Sequence, residues 1–230
     1  MSAEKESWKE EWPQFQVALD LLKIEDALRI AGDAYRAGIR WLEAGTPLIK
    51  SEGIRSVKEL KKAFPAAIVV ADMKTLDAGE IETEMAYEAG ADIVSISGLA
   101  HDSTIKDSVN VRDHYDRRLM VDLLMTSSPI TRARELERLG ADIVCLHTGI
   151  DAQKAMRSSL KLSPTIPKLR RTLKIPLAAA GGINPQLAPI LVAVGVKVLI
   201  VGGWITGAKD PYRAATDIVA SVRAKNRDAN

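Results

Sequence analysis

Short apolar runs rich in β-branched residues recur along the chain at nearly even intervals. Each is followed by a stretch with the 3.6-residue periodicity of an amphipathic helix. Within each run apolar residues occupy both alternating faces, which is typical of strands in a parallel sheet that helices cover on the outside. The pattern predicts eight strands, over residues 15–21, 41–46, 67–74, 92–98, 118–125, 142–149, 175–182 and 198–205.

The helical stretches end where glycine follows them. Their periodicity predicts helices over residues 24–38, 56–64, 130–140 and 211–226, among others. A glycine stands just before four of the predicted strands, at positions 38, 90, 140 and 195. Glycine is favoured there because the residue that closes a helix often adopts a left-handed backbone conformation.

The spacing of the strand ends indicates how the sheet closes. The last polar residue or glycine of successive strands lies at positions 20, 43, 72, 97, 122, 147, 181 and 202. Eight βα units of this size close most economically into a (β/α)8 TIM barrel. A doubly wound open sheet is the alternative, although no glycine-rich dinucleotide fingerprint follows the first strand. We predict one barrel domain over residues 15–230, preceded by a short N-terminal extension over residues 1–14.

Two segments fall outside the regular pattern. In the extension, Trp8 and Trp12 are spaced to share one face of a short helix, which is expected to pack under the barrel or on a neighbour. After the sixth strand, the longest interval leaves room for a mobile lid over residues 152–164.

Composition narrows the classes of function. The 230 residues are 47% hydrophobic and 27% charged, and the 32 basic and 30 acidic side chains give a net charge of +2. This near balance gives no general attraction to nucleic acid or to an anionic membrane. A single cysteine suits a reducing compartment, so we expect a cytoplasmic protein.

One stretch resembles a membrane span, because residues 187–205 are apolar except for Lys197. Pro189 and Gly195 interrupt it, and β-branched residues crowd its second half. We therefore interpret it as a helix, a turn and a buried strand, and expect no membrane partner.

Charged side chains end several of the otherwise apolar strands. The active site of a (β/α)8 barrel lies at the C-terminal ends of its strands, so these residues are the candidates for chemistry. Burying many carboxylates beside one lysine is unfavourable unless they pair closely or bind a cation. Taken singly, each is also explained as a helix N-cap or a loop ion pair. The set comprises Asp20, Glu43, Asp72, Lys74, Asp77, Asp122 and His147.

Asp72 and Lys74 lie two residues apart on a predicted strand, so their side chains are expected to point the same way. Neighbouring carboxylates keep a lysine protonated, and a fixed ammonium can stabilise a developing enolate oxygen. Glu43, at the adjacent strand end, adds to Asp72 the hard oxygen ligands that suit Mg²⁺. The histidines and the single cysteine are too scattered for a zinc site.

The histidines and Cys145 are assigned different roles. His147 ends the sixth strand, where it is a candidate general base, or alternatively a hydrogen-bonded core histidine. His101 is expected to cap a helix or lie on the surface, and His114 to be exposed on a helix. Cys145 is expected to pack in the core.

Glycine pairs end the last two strands, at Gly181-Gly182 and Gly202-Gly203. In barrels of this kind a phosphate is often held there by backbone N–H groups, and glycine lets the backbone approach the anion. Tight turns alone are the other explanation. We predict a phosphorylated small-molecule substrate.

At this point the residues resemble a known family. The segments that carry the resemblance are QVALD at 16–20, EAGTPLIK at 43–50, DMKTLDAG at 72–79 and HTGIDAQ at 147–153. The third contains the DxKxxD signature of the orotidine-phosphate decarboxylase suprafamily. Together the four look like the 3-hexulose-6-phosphate synthases of that suprafamily, with the 3-keto-L-gulonate-6-phosphate decarboxylases close by.

The resemblance implies a role for each matching residue. It implies that Glu43 and Asp72 bind Mg²⁺ and that Lys74 stabilises an enediolate oxygen. His147 looks like the proton-transfer residue, and Asp20 resembles the residue that helps to place Lys74 and the substrate.

The remaining implied roles concern the dimer and the phosphate. Asp77 is similar to a residue that reaches across a homodimer interface into the neighbour's active site. Gly182, Gly202 and Gly203 match the phosphate-binding loops. Relatives often carry an arginine where this chain has Gly203 and Trp204, which leaves either Lys209 or a backbone-only site to hold the phosphate.

Three departures separate the chain from the decarboxylases. They tend to carry Glu at the end of strand five, Arg shortly after the strand-six histidine, and Thr before the glycine pair of strand seven. Here these positions hold Asp122, Ile150 and Ala180. The differences favour the synthases.

The activity implied by the resemblance is the reversible aldol condensation of D-ribulose 5-phosphate with formaldehyde through a 1,2-enediolate. A Schiff base on Lys74 is the competing aldolase mechanism, which flanking Asp72 and Asp77 disfavour by keeping the amine protonated. The decarboxylase activity and a non-catalytic barrel that binds a sugar phosphate are the alternatives.

Overall fold

The computed structural model describes residues 13–156 and 164–227. Its eight parallel strands pair in chain order, and β1 pairs with β8 to close the barrel. The predicted (β/α)8 barrel is confirmed, and the open sheet is wrong. The strands are β1 (Gln14–Leu19), β2 (Trp41–Ala44), β3 (Ile68–Thr75), β4 (Ile93–Ser97), β5 (Arg118–Asp122), β6 (Ile143–His147), β7 (Leu177–Ala180) and β8 (Val198–Val201).

Helices connect the strands and cover the outside of the barrel. Gly38, Gly90, Gly140 and Gly195 all have φ between 95° and 107°, so the predicted left-handed helix ends are confirmed. The helices are α1 (Ile24–Arg36), α2 (Thr46–Glu52), α3 (Arg55–Ala63), α4 (Gly79–Glu88), α5 (Asp102–Tyr115), α6 (Pro129–Leu139), α7 (Ile150–Met156), α8 (Thr165–Thr172), α9 (Ala188–Ala193), α10 (Gly203–Thr206) and α11 (Pro211–Arg227).

The core has two layers because successive side chains of a strand point to opposite faces. Val17 and Leu19 of β1 face the helices, whereas Ala18 belongs to the cluster inside the barrel. The same alternation in β2 sends Leu42 outward, and Glu43 lines the cavity of the barrel mouth. Alternation therefore places the acidic side chain of an otherwise apolar strand inside the barrel.

Strand ends depart from prediction in a few places. Predicted strand 118–125 ends at Asp122, and predicted strand 198–205 ends at Val201, because α10 begins at Gly203. β1 begins at Gln14, inside the predicted extension, since the Gln14 N–H donates to the Lys197 carbonyl at 2.8 Å. The other ends differ by one or two residues.

The apolar stretch over residues 187–205 folds as α9, a turn and β8, as predicted. Across residues 13–156 and 164–227, no helix is both long enough and apolar enough to cross a membrane. Trp8 and Trp12 lie outside the described residues, as does most of the predicted lid.

Candidate active site

A cavity of about 740 Å³ opens at the C-terminal ends of the strands. Asp77 does not line it: this residue follows β3 and is exposed on the surface. All the other predicted site residues line the cavity, namely Asp20, Glu43, Asp72, Lys74, Asp122, His147, Gly181, Gly182, Gly202 and Gly203.

Asp72 and Lys74 meet through a bulge in β3. Asp72 pairs with Ser95 of β4, but the next pair joins Thr75 to Ile96, so β3 has two extra residues at this point. Lys74 has φ of 49°, in the left-handed region. The two side chains do lie together in the cavity, as expected, but regular strand alternation is not the cause. The bulge brings them together instead, with Lys74 Nζ 2.6 Å from Asp72 Oδ2.

Charged groups form a continuous chain across the cavity. Lys74 Nζ, bound to Asp72, also lies 3.4 Å from Asp122 Oδ2. That same oxygen lies 2.7 Å from His147 Nδ1, while Asp122 Oδ1 accepts a hydrogen bond from the Leu124 N–H at 2.9 Å. Because Nδ1 faces the carboxylate, Nε2 is the ring nitrogen left to exchange a proton with a ligand.

The electrostatics of this chain keep Lys74 and Asp122 charged. Burial alone lowers the pKa of Lys74, but the carboxylates of Asp72 and Asp122 outweigh it and raise that pKa above its ordinary value. Burial alone raises the pKa of Asp122, but the hydrogen bond and charge of His147, with the charge of Lys74, hold it below its ordinary value. At neutral pH Lys74 is therefore an ammonium and Asp122 a carboxylate.

The other carboxylates are not balanced in this way. Burial raises the pKa of Glu43 well above its ordinary value, and the charge of Asp72 raises it further. Burial and the charge of Asp72 also raise the pKa of Asp20. Four acidic groups, Asp20, Glu43, Asp72 and Asp122, therefore surround one lysine in the barrel mouth, and this crowding opposes the ionisation of Glu43 and Asp20.

Two buried oxygens in this acidic region have no hydrogen-bond partner. Gln16 Nε2 donates to Glu43 Oε2, but Gln16 Oε1 and Asp72 Oδ1 are left without partners. Buried polar atoms are rarely unpaired unless a water molecule or an ion belongs beside them.

Oxygen ligands of this kind suit Mg²⁺, which usually binds one or two protein carboxylates and completes its shell with water and substrate. Glu43 and Asp72 are therefore the residues that fit a magnesium ion. Within the described residues no group of three acidic, histidine or cysteine side chains converges to enclose a metal, so most ligands would have to come from water and substrate.

Bare backbone faces the cavity at the ends of β7 and β8. Gly181 and Gly182 have φ of 113° and 68°, and a Cβ at Gly181 would lie 2.4 Å from the Thr148 carbonyl oxygen. Glycine is required there for both reasons. Lys209, the cation that the sequence offered for the phosphate, does not line the cavity; Lys50 of α2, which was not considered, does.

Two positioning contacts were missed at the level of individual residues. Gln16 holds Glu43, and Thr46 Oγ1 lies 2.8 Å from the Asp72 carbonyl oxygen and 2.9 Å from Asp72 Oδ2. Both residues fall in the segments that carried the family resemblance. The signal for Gln16 is a polar side chain at an inward position of an apolar strand.

The three minor assignments are confirmed. Cys145 is 1% exposed in the barrel interior, and burial raises the pKa of its thiol. His101 caps α5, its Nδ1 accepting a hydrogen bond from the Ser103 N–H at 3.2 Å, and His114 is exposed on that helix.

Comparison with known sequences places the chain in a family. The profile of the orotidine 5'-phosphate decarboxylase / HUMPS family matches residues 13–218. The 3-hexulose-6-phosphate synthase of Mycobacterium gastri is 39% identical over 209 residues, which are 91% of this chain and 99% of that protein. The synthase of Bacillus subtilis strain 168 is 37% identical over 203 residues, which are 88% of this chain and 95% of that protein. The chain belongs to the orotidine 5'-phosphate decarboxylase / HUMPS family, and it is an enzyme of the lyase type.

Solved structures agree with this placement. A crystal structure of 3-hexulose-6-phosphate synthase superposes with a TM-score of 0.83 at 38% identity and covers 91% of this chain and 99% of its own. KGPDC from Streptococcus mutans, solved as a ligand complex, superposes with a TM-score of 0.87 at 25% identity, over 93% of this chain and 99% of its own.

Proposed function

We propose that this chain is a 3-hexulose-6-phosphate synthase, which condenses D-ribulose 5-phosphate with formaldehyde to give 3-hexulose 6-phosphate and catalyses the reverse cleavage. The chain Asp72–Lys74–Asp122–His147 in the barrel mouth is the observation that carries the proposal. It joins an ammonium that can hold an oxyanion to an imidazole that can take a proton. The names of the relatives supply the product, 3-hexulose 6-phosphate, and the two substrates are those that the family resemblance implies.

His147 acts as the general base. Asp122 accepts the hydrogen bond of Nδ1 at 2.7 Å and thereby fixes the tautomer and the orientation of the ring. Nε2 then takes the proton from C1 of ribulose 5-phosphate, and the electron pair of that C–H bond forms the 1,2-enediolate. C1 attacks the carbon of formaldehyde, so that the C–C bond forms and the C2 carbonyl re-forms, and the proton held by His147 is returned to the former aldehyde oxygen.

Lys74 stabilises the negative charge that develops on the enediolate oxygen. It is held between Asp72 and Asp122, which fix the direction of its N–H groups before the reaction begins. The raised pKa of Lys74 keeps the amine protonated, so it lacks the lone pair that a Schiff-base nucleophile needs. Formaldehyde is too small to contribute much binding energy, so the enediolate is the species the site must stabilise.

Glu43 and Asp72 are proposed to hold Mg²⁺. When bound, the ion acts as a Lewis acid toward the substrate's carbonyl oxygen. Gln16 orients Glu43 by donating to Oε2, and Thr46 fixes Asp72. The substrate's phosphate is proposed to lie against the backbone of Gly181-Gly182 and Gly202-Gly203, where no side chain obstructs its approach.

We also propose that the chain forms a homodimer with shared active sites. Asp77 is exposed and outside its own cavity, as expected of a residue that acts in a neighbour's cavity. Leu76 and Ile81 lie beside it in sequence and are 58% and 69% exposed. Large exposed apolar side chains of this kind often mark a protein–protein interface.

Subunit mixing tests the dimer. Lys74→Ala and Asp77→Ala should each be inactive alone but regain about a quarter of the wild-type activity after exchange, since some mixed dimers contain one intact site. Size-exclusion chromatography should give the mass of two chains. A monomeric active protein, or mixtures that stay inactive after verified exchange, would contradict shared sites.

The decarboxylase is the second candidate, favoured by the close superposition on the S. mutans protein. Ile150 argues against it, because this residue lines the cavity with an apolar side chain where the decarboxylases tend to carry arginine. Release of CO₂ from 3-keto-L-gulonate 6-phosphate at a higher kcat/KM than the aldol reaction would favour the decarboxylase.

The direct experiment measures formaldehyde consumption with D-ribulose 5-phosphate as co-substrate. Turnover should disappear after treatment with EDTA and return on addition of Mg²⁺, and hexulose phosphate should release formaldehyde in the reverse direction. A protein that binds ribulose 5-phosphate without turning it over, with Mg²⁺ present, would be the non-catalytic barrel. Turnover that is insensitive to EDTA would contradict the assigned role of Glu43 and Asp72.

A further inference from the structure

The loop between β2 and α2 has no side chain at the point where it meets Asp20. This point is Gly45. A Cβ added there would lie 2.2 Å from Asp20 Oδ1, 3.0 Å from the Leu19 carbonyl oxygen and 3.1 Å from Asp20 Cα. Ordinary contacts between carbon atoms are at about 3.5–4.0 Å, so the carboxylate of Asp20 occupies the space of the missing side chain.

The backbone conformation does not explain why this residue is glycine. Gly45 has φ of −65° and ψ of 155°, an extended conformation that every residue type adopts. Gly181 differs, because its φ of 113° favours glycine by itself. At Gly45 the reason that remains is space, which the Asp20 carboxylate fills most closely and which two backbone atoms, the Leu19 carbonyl oxygen and Asp20 Cα, also approach.

Asp20 is held from a second side as well. A Cβ added at Gly202 would lie 3.7 Å from Asp20 Oδ2, an ordinary contact distance. The carboxylate therefore lies between the loop that follows β2 and the loop that follows β8, with its two oxygens toward different glycines. It faces the charges of Asp72, Lys74 and His147 from this position.

We propose that Gly45 is a positioning residue that acts through Asp20. Because Gly45 has no Cβ, the Asp20 carboxylate lies against it at the cavity wall. Any side chain at position 45 pushes that carboxylate toward the substrate space. The inference rests on the proposed function and on the role that the family resemblance implies for Asp20, which is to help place Lys74 and the substrate.

The test uses Gly45→Ala, which adds one methyl group in a permitted backbone conformation. We expect kcat to fall at least tenfold while the melting temperature changes little. The matched control is Gly32→Ala in α1, where the added Cβ would lie 3.9 Å from the nearest atom of Phe64 and which does not line the cavity. This control should keep its activity within twofold of wild type.

A double variant separates positioning from general damage. Asp20→Ala removes the oxygen that the new methyl group meets, so adding Gly45→Ala to Asp20→Ala should lower kcat by less than a further twofold. If the two losses multiply, or if Gly45→Ala alone stays within twofold of wild type, the proposal is wrong. Should Gly45→Ala fail to fold, recovery of folding in the double variant supports the proposal, and continued failure overturns it.

A crystal structure of Gly45→Ala tests the inference without any activity. The Asp20 carboxylate should move away from position 45 by about 1 Å or more, and an unmoved carboxylate overturns the proposal. This readout remains informative if the wild type shows no aldol reaction, in which case the proposed function fails and the positioning role is judged by the displacement alone.

Discussion

Two lysine–aspartate pairs at opposite ends of the barrel are nearly identical as isolated contacts. Lys74 Nζ lies 2.6 Å from Asp72 Oδ2 at the C-terminal end, and Lys61 Nζ lies 2.7 Å from Asp92 Oδ2 at the N-terminal end. Both lysine side chains are 27% exposed. The two pairs differ in what else surrounds the carboxylate, and that difference separates function from stability.

The pair at the N-terminal end is fully compensated. Asp92 Oδ2 also accepts the N–H of Val69 at 2.8 Å, and Asp92 Oδ1 lies 2.8 Å from Arg117. Lys61 in turn donates to the Ala67 carbonyl at 2.9 Å. Two cations therefore contact one carboxylate whose oxygens are both paired, and the contacts tie α3 to the starts of β3, β4 and β5.

The N-terminal arrangement occurs twice. The residues Gly-Ala-Asp-Ile-Val stand at 90–94 and again at 140–144. In the second copy Asp142 Oδ2 accepts the N–H of Leu119 at 2.8 Å and pairs with Arg112. At both places an aspartate beside a strand start secures the preceding strand.

The pair at the C-terminal end is under-compensated. Asp72 Oδ1 has no partner, and burial and mutual repulsion raise the pKa values of both Glu43 and Asp20. Without a ligand, this crowding of carboxylates lowers the stability of the folded chain, but it suits the binding of a cation and an oxyanion. Active sites commonly sacrifice stability in this manner.

The largest expected effect comes from exchanging the two lysines for alanine. Lys74→Ala should lower kcat by on the order of 10²–10³ or more, because the group that stabilises the enediolate is lost. Lys61→Ala, at the matched pair, should keep kcat within about twofold. Formaldehyde-consumption assays on both variants measure this, and equal losses would break the comparison.

The free energy of unfolding should depend more on the aspartates at the N-terminal end than on Asp72 in the active site. Asp92→Ala and Asp142→Ala should each lower the free energy of unfolding by roughly 1.5–3 kcal/mol, since each removes hydrogen bonds to charged groups. Asp72→Ala should lower it less or raise it, because a repelled carboxylate is removed. Urea unfolding curves test the difference, and a loss for Asp72→Ala as large as that for Asp92→Ala would contradict it.

The pH dependence of the melting temperature of Glu43→Gln tests the same lack of charge compensation in the active site. A raised pKa means that ionised Glu43 is less favourable in the folded chain than in the unfolded chain. Ionisation therefore lowers the free energy of unfolding above the raised pKa, and this loss disappears as pH falls toward the ordinary pKa of 4.5. In the presence of EDTA, Glu43→Gln should therefore melt higher than wild type at about pH 7.5 and equally near pH 4. A difference that grows on acidification would reverse the sign and refute the argument.

The smallest effect is expected at His101, which lies toward the same end as the active site but outside the cavity. His101→Ala removes the cap of α5 and should lower the free energy of unfolding by about 0.5–1 kcal/mol. Activity should stay within twofold, because the residue does not line the cavity. A tenfold loss of activity would show that residues beyond the cavity wall take part in catalysis.

The ends of the strands were only partly predictable. β5 stops at Asp122 although the next three residues, Leu123 to Met125, are apolar, because the Leu124 N–H binds the Asp122 side chain and leaves the ladder. β8 stops before Trp204 and Ile205 for a similar reason, since a short helix begins at Gly203. Hydrophobicity does not reveal which hydrogen bond a backbone group makes.

The site was predicted in its members but not in its geometry. Residue type and position at a strand end were enough to select Glu43, Asp72 and His147. They also selected Lys74, but they did not predict its left-handed backbone at φ 49°, which is uncommon for lysine and occurs at the bulge in β3. Gln16 and Thr46 were not selected, because their role lies wholly in contacts with residues distant in sequence.

The order of strands and helices, the burial of each face and the residue types at the barrel mouth are properties of the sequence alone, because side-chain period is local. Tertiary structure decided which charges surround each of two similar lysine–aspartate pairs. Lys61 found Asp92 and Arg117 at one end of the barrel, and Lys74 found an excess of carboxylates at the other. The free energy of a charge depends on burial and on its neighbours in space, which only the folded chain brings together.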